Sequence, residues 1–237
     1  MNLLTIGNSF SEDATRYLHQ IAQAGGKRLT AVNLFIGGCS LERHYRNMLS
    51  HERAYQIQYN GENTGFFVSL EEALLSRQWD VITLQQASPF SFDAETYVPY
   101  IDALMEYVRK CAPKARVLLH ETWAYEEGSE RLSKMGFDTE SDMREAVVRA
   151  YRSIAEQVGF DGIIPSGELF GALREAGIKK IHRDTFHVSW GLGRYALGLL
   201  WYRTLLGGDV LNNTFRSFDE EITEQDMQTV RECVMKF

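Results

Sequence analysis

Two hydrophobic rhythms alternate along the chain. Short apolar runs at Leu3–Ile6, Leu29–Leu34, Val81–Gln85, Val117–His120 and Gly162–Ile164 read as buried strands. Between and after them, helical spacing covers Glu12–Ala24, Leu41–Ser50, Leu70–Ser76, Glu95–Cys111, Glu140–Val158, Glu168–Ala176, Trp190–Leu206 and Glu224–Lys236. Thr223 with Asp226 is an N-cap signature for the last of these. Short strands separated by helices predict a parallel sheet with helices on both faces. Right-handed crossovers reduce the possible topologies to a few doubly wound orders.

One segment breaks the rhythm. Tyr55-Gln56-Ile57-Gln58-Tyr59 and Phe66-Phe67-Val68 flank Asn60–Gly65, which predicts a β-hairpin with a longer loop, inserted beside the sheet near residues 55–69. The polar stretch Tyr125–Asp138, with Gly128 and Gly136, reads as a loop at the carboxyl edge of the fourth strand, where it can border a site. No repeat, low-complexity tract or linker divides the chain, so a single domain over residues 1–237 is expected.

Composition narrows the classes. Hydrophobic residues make up 44% of 237, enough for a sizeable core. Net charge is −7, which argues against a nucleic-acid partner because that would need a basic face. The three cysteines, Cys39, Cys111 and Cys233, are far apart and form no CxxC pair or Cys/His cluster; no metal site is expected and a reduced compartment is the simpler reading. No apolar run reaches the roughly 18 residues of a membrane span. A cytoplasmic protein is expected, although a chain whose export signal had been removed would look the same.

Candidate chemistry begins at Gly7-Asn8-Ser9-Phe10-Ser11, directly after the first strand. A serine on that turn lies where open α/β sheets meet their ligands, and it can be a nucleophile, a helix cap or both. Near the other end stands Asp184-Thr185-Phe186-His187. With Asp184 and His187 three apart on a turn, the carboxylate can hold imidazole Nδ1 and leave Nε2 to take a proton from a hydroxyl. The alternative is ordinary capping of the helix that follows, with His187 a polar loop residue. Oxyanion donors are sought at the Ser9 N–H, in the turn Gly37-Gly38-Cys39-Ser40, and at Gln85-Gln86 on the end of the third strand. Cys39 is a further nucleophile option, against which stands the usual burial of free cysteine. After the fourth strand, His120 is either a pocket wall or a hydrogen-bonded structural histidine, and Trp123 and Tyr125 are either a sugar-stacking wall or packing; Arg43 and His44, after the Gly-Gly turn, either contact substrate polar groups or are solvated helix residues.

Gly7-Asn8-Ser9, Gly38, a polar amide after the third strand and Asp184-x-x-His187 fall in the order of the sequence blocks of SGNH (GDSL-like) hydrolases. The chain resembles that superfamily from the first strand to the helix after His187. It looks closest to an uncharacterised bacterial branch, with stretches like Ile6–Ala14, Gly37–His44 and Thr83–Ser88. The resemblance implies a flavodoxin-like three-layer α/β/α sandwich, its five parallel strands in the order 2-1-3-4-5. It implies Ser9 as nucleophile, His187 as base, Asp184 as its orienter and the Gly38 N–H as an oxyanion donor. Two departures stand out. The usual Asp before the serine is Asn8, and the Gly-x-Asn-Asp block is missing. Gln86, or else Gln85, is the expected substitute for its asparagine donor, since strand alternation sends only one of them toward the site.

The expected activity is that of a serine esterase removing a small acyl group, such as acetyl, from a carbohydrate-like alcohol, with no metal or organic cofactor. Asn8, Arg43, His44, His120 and Trp123 are the candidate pocket residues. The expected partner is a small-molecule or glycan ester, not a membrane or nucleic acid. A non-catalytic carbohydrate-binding or interaction protein on the same fold is the alternative. A phosphoester or thioester hydrolase using the same serine is the third reading. An α/β-hydrolase is disfavoured because position 11 is Ser where its Gly-x-Ser-x-Gly turn needs glycine.

Overall fold

A computed structural model describes all 237 residues. Its centre is β1 (Asn2–Gly7), which pairs in parallel with β2 (Thr30–Phe35) on one side and β5 (Val81–Leu84) on the other. Outside β5 lie β6 (Arg116–His120) and the two-residue β7 (Ile163–Ile164), both parallel. These five strands have the expected relative order, but they are not the whole sheet. The hairpin β3 (Tyr55–Tyr59) and β4 (Glu62–Val68) adds antiparallel to β2, giving a seven-stranded mixed sheet ordered β4-β3-β2-β1-β5-β6-β7.

The expectation of a five-stranded parallel sheet is therefore corrected, and its cause is local. β2 would otherwise end the sheet with unpaired N–H and C=O groups, and the hairpin satisfies them. The hairpin is also tighter than expected. Asn60 and Gly61 both have positive φ (52° and 86°) and make a two-residue turn of the Asn-Gly kind. A side chain on Gly61 would meet the Arg16 carbonyl at 2.2 Å.

Helices cover both faces, and alternation along the strands divides the core between them. Leu3, Ala31, Val81 and Leu118 point to one side, with α1 (Ser9–Thr15), α2 (Leu18–Ala24), α8 (Ser166–Glu175), α9 (Leu192–Leu206) and α10 (Glu224–Val234). Leu4, Ile6, Val32, Ile82 and Leu119 point to the other, with α3 (Leu41–Ser50), α4 (Leu70–Leu75), α5 (Tyr100–Cys111) and α7 (Glu140–Val158). The remaining short helix, α6 (Glu130–Lys134), lies inside the loop expected at the edge of the sheet. α9 is buried nearly all round, in keeping with its largely apolar sequence, and its buried Arg194 is paired with Asp13. No helix is long and apolar enough to cross a membrane.

Two predicted helices begin or break differently. The pattern over Glu12–Ala24 resolves into α1 and α2, and α1 starts at Ser9 itself. The pattern from Glu95 becomes a 3₁₀ turn over Ala94–Thr96 and then α5, because Pro99 cannot sit inside a helix.

The first residue after β6 is a buried acid. Glu121 is fully buried, and its Oε1 accepts the Glu168 N–H at 3.0 Å, while Oε2 has no protein partner. Burial pushes its carboxyl up to about 8, against the pull of the Glu168 N–H, so the folded protein holds a proton at neutral pH. An unfolded Glu releases that proton near pH ~4.3. The folded state then binds the extra proton between those two values, and stability falls as pH rises through the interval. Glu121→Gln keeps the neutral shape. Its unfolding free energy in urea is expected to lose about 3–4 kcal/mol less than wild type between about pH 5 and pH 8, at about 1.4 kcal/mol for each pH unit between the two values. Parallel pH profiles for the two proteins would overturn this.

Candidate active site

The turn after β1 is built by Asn8. In extended conformation it caps α1, its Oδ1 accepting the Phe10 N–H at 3.0 Å. Ser9 thus becomes the first residue of α1, where backbone N–H groups have no acceptor in the helix and the dipole is positive. Its Oγ lies 2.7 Å from His187 Nε2. His187 Nδ1 lies 2.7 Å from Asp184 Oδ2, and Asp184 Oδ1 accepts the His187 N–H at 2.8 Å. Burial alone would raise the Asp184 carboxyl, but hydrogen bonds and charge from His187 hold it below its usual value. An ionised Asp184 fixes the Nδ1–H tautomer, leaving Nε2 free to accept the Ser9 hydroxyl proton. Ser9, His187 and Asp184, remote in sequence, are thereby brought into one hydrogen-bonded line.

The loop carrying Asp184 and His187 is held at many points. Thr185 takes positive φ (76°) to close the turn, and its carbonyl accepts the Glu126 N–H at 2.7 Å. Trp123 Nε1–H donates to the Phe186 carbonyl at 2.7 Å. His182 and Val188 form an isolated antiparallel bridge at the base. The strongest tie is ionic. Asp13, one turn beyond Ser9 on α1 and fully buried, accepts Arg183 Nη1 at 2.9 and 3.1 Å and Arg194 Nε at 2.8 Å. Arg183 also donates to the Val188 carbonyl, and Arg194 Nη1 reaches Asp219 at 3.0 Å. One carboxylate therefore joins the helix that begins with Ser9 to the residue preceding Asp184.

The facing wall is the turn after β2. Gly38 has positive φ (61°), and Asn8 Nδ2 donates to the adjacent Cys39 carbonyl at 3.1 Å. The amides expected as oxyanion donors are committed elsewhere. Gln85 Nε2 donates to Asn8 Oδ1 at 2.8 Å, and its Oε1 lies 2.9 Å from His120 Nδ1. Gln86 points the other way: Nε2 donates to the Thr96 carbonyl at 3.0 Å, and Oε1 accepts the Leu41 and Ala87 N–H groups. Neither substitutes for the missing asparagine as expected.

Four of the five expected pocket residues prove to be internal. Asn8 is buried between Gln85, Cys39 and the start of α1. His44 is buried, 3.0 Å from the Tyr55 hydroxyl and stacked on that ring; burial pushes it down to about 3. His120 is buried edge-on to Trp201 and likewise pushed down to about 3. Trp123 is 1% exposed and stacked on Phe10 at 4.0 Å, so it offers no face to a sugar. Tyr125 is also buried, its hydroxyl on Ser88 Oγ at 3.0 Å. Only Arg43 is exposed, on the first turn of α3. Cys39 is fully buried and its thiol is pushed up to about 12, which removes it as a nucleophile. No group of three or more His, Cys, Asp or Glu side chains stands together as a metal site.

Sequence reasoning gave Asp13, Arg183 and Arg194 no role. A signal was present: position 13 shares a helical face with Phe10, Ala14 and Tyr17, all core residues. A carboxylate on an apolar stripe demands a buried cation.

The strand order and the turns that carry Ser9, Gly38, Asp184 and His187 define the SGNH-hydrolase fold. Similar solved structures include a proposed SGNH hydrolase from Slackia heliotrinireducens, 22% identical, covering 86% of this chain and 98% of that one with a TM-score of 0.63. They also include Axe2, an acetylxylan esterase from Geobacillus stearothermophilus, 15% identical over 91% of this chain and 94% of that one, TM-score 0.54. A third is a DUF4886 family protein from Bacteroides uniformis, 32% identical, covering 100% of this chain and 93% of that one, TM-score 0.93. No curated protein matches. The model of the family described as "Domain of unknown function (DUF4886)" matches residues 2–235, and the chain belongs to that family.

The tie between α1 and the His187 loop can be tested directly. Breaking a buried ion pair on one side typically costs about 3–5 kcal/mol, because the partner charge is left uncompensated. Asp13→Asn strands two guanidiniums, so a loss of roughly that size is expected in urea unfolding. A loss below about 1 kcal/mol would show that the network carries little of the fold's stability.

Proposed function

We propose that the protein is a serine esterase that removes a small acyl group, acetyl being the simplest, from a carbohydrate-like alcohol. The observation that carries this reading is the Ser9–His187–Asp184 line, with both of its hydrogen bonds at 2.7 Å. In the mechanism, His187 Nε2 takes the Ser9 proton as Oγ attacks the ester carbonyl. The imidazolium, steadied by Asp184, then protonates the departing alcohol. Water activated by the same imidazole releases the acid and restores Ser9. The oxyanion is met by the Ser9 N–H at the start of α1 and by the Gly38 N–H on the facing turn. With the Gln85 and Gln86 amides engaged, these two backbone donors carry the charge. One lost donor typically costs about 10²–10³ in rate, so a slow enzyme is expected. The carbohydrate part of the reading draws on structurally similar proteins described as acetyl xylan and acetyl-xylooligosaccharide esterases.

Hydrolysis of 4-nitrophenyl acetate tests the reading. Ser9→Ala and His187→Ala are each expected to lower kcat/KM by at least about 10³-fold, with little change in unfolding free energy. Wild-type and Ser9→Ala rates that coincide would sink the esterase and favour a non-catalytic binding protein. A preference for phosphate esters would replace acyl transfer by phosphoester hydrolysis.

A further inference from the structure

Arg131, on α6, is an exposed arginine that reaches the reacting line through one aromatic ring. Its Cζ lies 4.0 Å from the Phe186 ring centroid, and the Phe186 ring in turn lies 3.8 Å from the His187 ring. It also lies 5.6 Å from the ring of Tyr125, which packs edge-on against Phe186 at 6.0 Å. The guanidinium therefore covers a pair of rings, one of which touches His187.

Like Arg77 over Trp79, Arg131 has no ion-pair partner, but its ring is the one in contact with His187. Arg183 and Arg194 also stack on an aromatic ring, that of Trp190 at 3.7 and 4.0 Å, but both are bonded to Asp13. No carboxylate lies within ion-pair distance of Arg131, although three glutamates are close in sequence. The Glu127 carboxylate is taken by the Glu140 N–H and Arg174 and that of Glu130 by Lys134, while the Glu126 carboxylate makes no ion pair. A guanidinium stacked on a ring can still present N–H donors to solvent, and their fork suits planar, two-point recognition of a carboxylate.

The chemistry of the line says which part of a substrate would meet it. His187 delivers its proton to the leaving oxygen, so on the esterase reading the departing alcohol lies at His187 Nε2, beside the loop whose Phe186 ring Arg131 covers, while the carbonyl oxygen faces the Ser9 and Gly38 N–H groups. We propose that Arg131 binds a carboxylate on the alcohol part of the substrate, so that the preferred ester is one of an acidic, carboxylate-bearing alcohol. This rests on the esterase reading and adds to it a charge preference that Ser9, His187 and Asp184 do not provide.

The test compares 4-acetoxybenzoate with 4-acetoxybenzamide, which differ in charge but little in leaving-group electronics. The wild-type protein is expected to favour the anion by about tenfold or more in kcat/KM, chiefly through KM, since a charge-assisted hydrogen bond is worth about 1.5–3 kcal/mol and 1.4 kcal/mol is tenfold. The preference should shrink as salt is raised. Arg131→Gln should bring the acid-to-amide ratio near one, Arg131→Lys should retain part of it, and Arg77→Gln, at an exposed arginine stacked on Trp79, should leave it intact. An equal or higher kcat/KM for the amide in wild type overturns the proposal, as does a preference that survives Arg131→Gln or collapses in Arg77→Gln. Calorimetric binding of 4-hydroxybenzoate reads the anion site without turnover. Tight binding lost in Arg131→Gln supports the site even if no ester is cleaved, which would defeat the esterase reading alone; equal binding by both proteins overturns the site.

Discussion

The Asp13 carboxylate, buried between Arg183 and Arg194, is the constraint on which the rest of the site depends. Removing a carboxylate from water costs several kcal/mol, and only close, hydrogen-bonded cations offset it. Here the cations come from the far end of the chain: Arg183 from the loop before His187, and Arg194 from the first turn of α9. Folding cannot bury Asp13 without bringing both. Since Asp13 is one turn beyond Ser9 and Arg183 precedes Asp184, satisfying the charge also sets the distance from Ser9 Oγ to His187 Nε2. The network then runs outward through Asp219 and Arg16 to Glu62 at the hairpin, where water screens it and each pair is worth less.

α1 is short and polar for the same reason. It packs on a line of amides crossing the sheet rather than on aliphatic side chains alone. Thr5 Oγ1 donates to Asn33 Oδ1 at 2.5 Å, Asn33 Nδ2 to Gln58 Oε1 at 2.7 Å, and Gln58 Nε2 to Glu12 Oε1 at 2.6 Å. Ser11 Oγ lies 2.8 Å from the same Asn33 oxygen. Such a ladder fixes register more narrowly than apolar contact does, because one residue of slip leaves buried amides unpaired. The hairpin, by supplying Gln58, is thus part of the platform that orients the Ser9 helix.

The parallel core was legible in the sequence because both faces are covered, so its strands read as uninterrupted apolar runs. α3 and α7 were legible to the residue, because each is framed by a capping Ser40 or Thr139 and a left-handed His51 or Gly159. What periodicity does not carry is pairing between distant polar groups. The antiparallel attachment of the hairpin depends on Val32–Phe35 facing Gln56–Tyr59, and nothing local in either strand specifies that partner. Asp184 and His187 were legible as a pair because they share a turn; Asp13 and Arg183 were not, because they share only a buried volume. The pocket residues failed for a related reason. His44, His120 and Trp123 lie at strand or turn ends where a site is expected, but their burial is decided by neighbours such as Tyr55, Trp201 and Phe10.

Gln85 shows how a departure from a family's pattern can be read physically. An amide beside the nucleophile can either donate to a developing oxyanion or hold the backbone that does, and its hydrogens cannot do both in the same direction. Here it is fixed from behind by His120 and spends its N–H on Asn8 Oδ1, the oxygen that also caps α1. The second arm of Asn8 grips the Cys39 carbonyl and so holds the Gly38 turn. On the esterase reading, a side-chain donor has been exchanged for rigidity of two backbone donors. Preorganised dipoles need no reorientation as charge develops, so rigidity recovers part of what the lost donor would have supplied. The neutrality of His120 belongs to the same arrangement. With Nδ1–H given to Gln85 and its ring enclosed by Trp201 and Trp123, a charged imidazole would have no counter-ion, and burial keeps it neutral. The chain from His120 through Gln85 and Asn8 to the Gly38 turn can then act as a fixed, uncharged brace behind a site whose charges all lie in front of it.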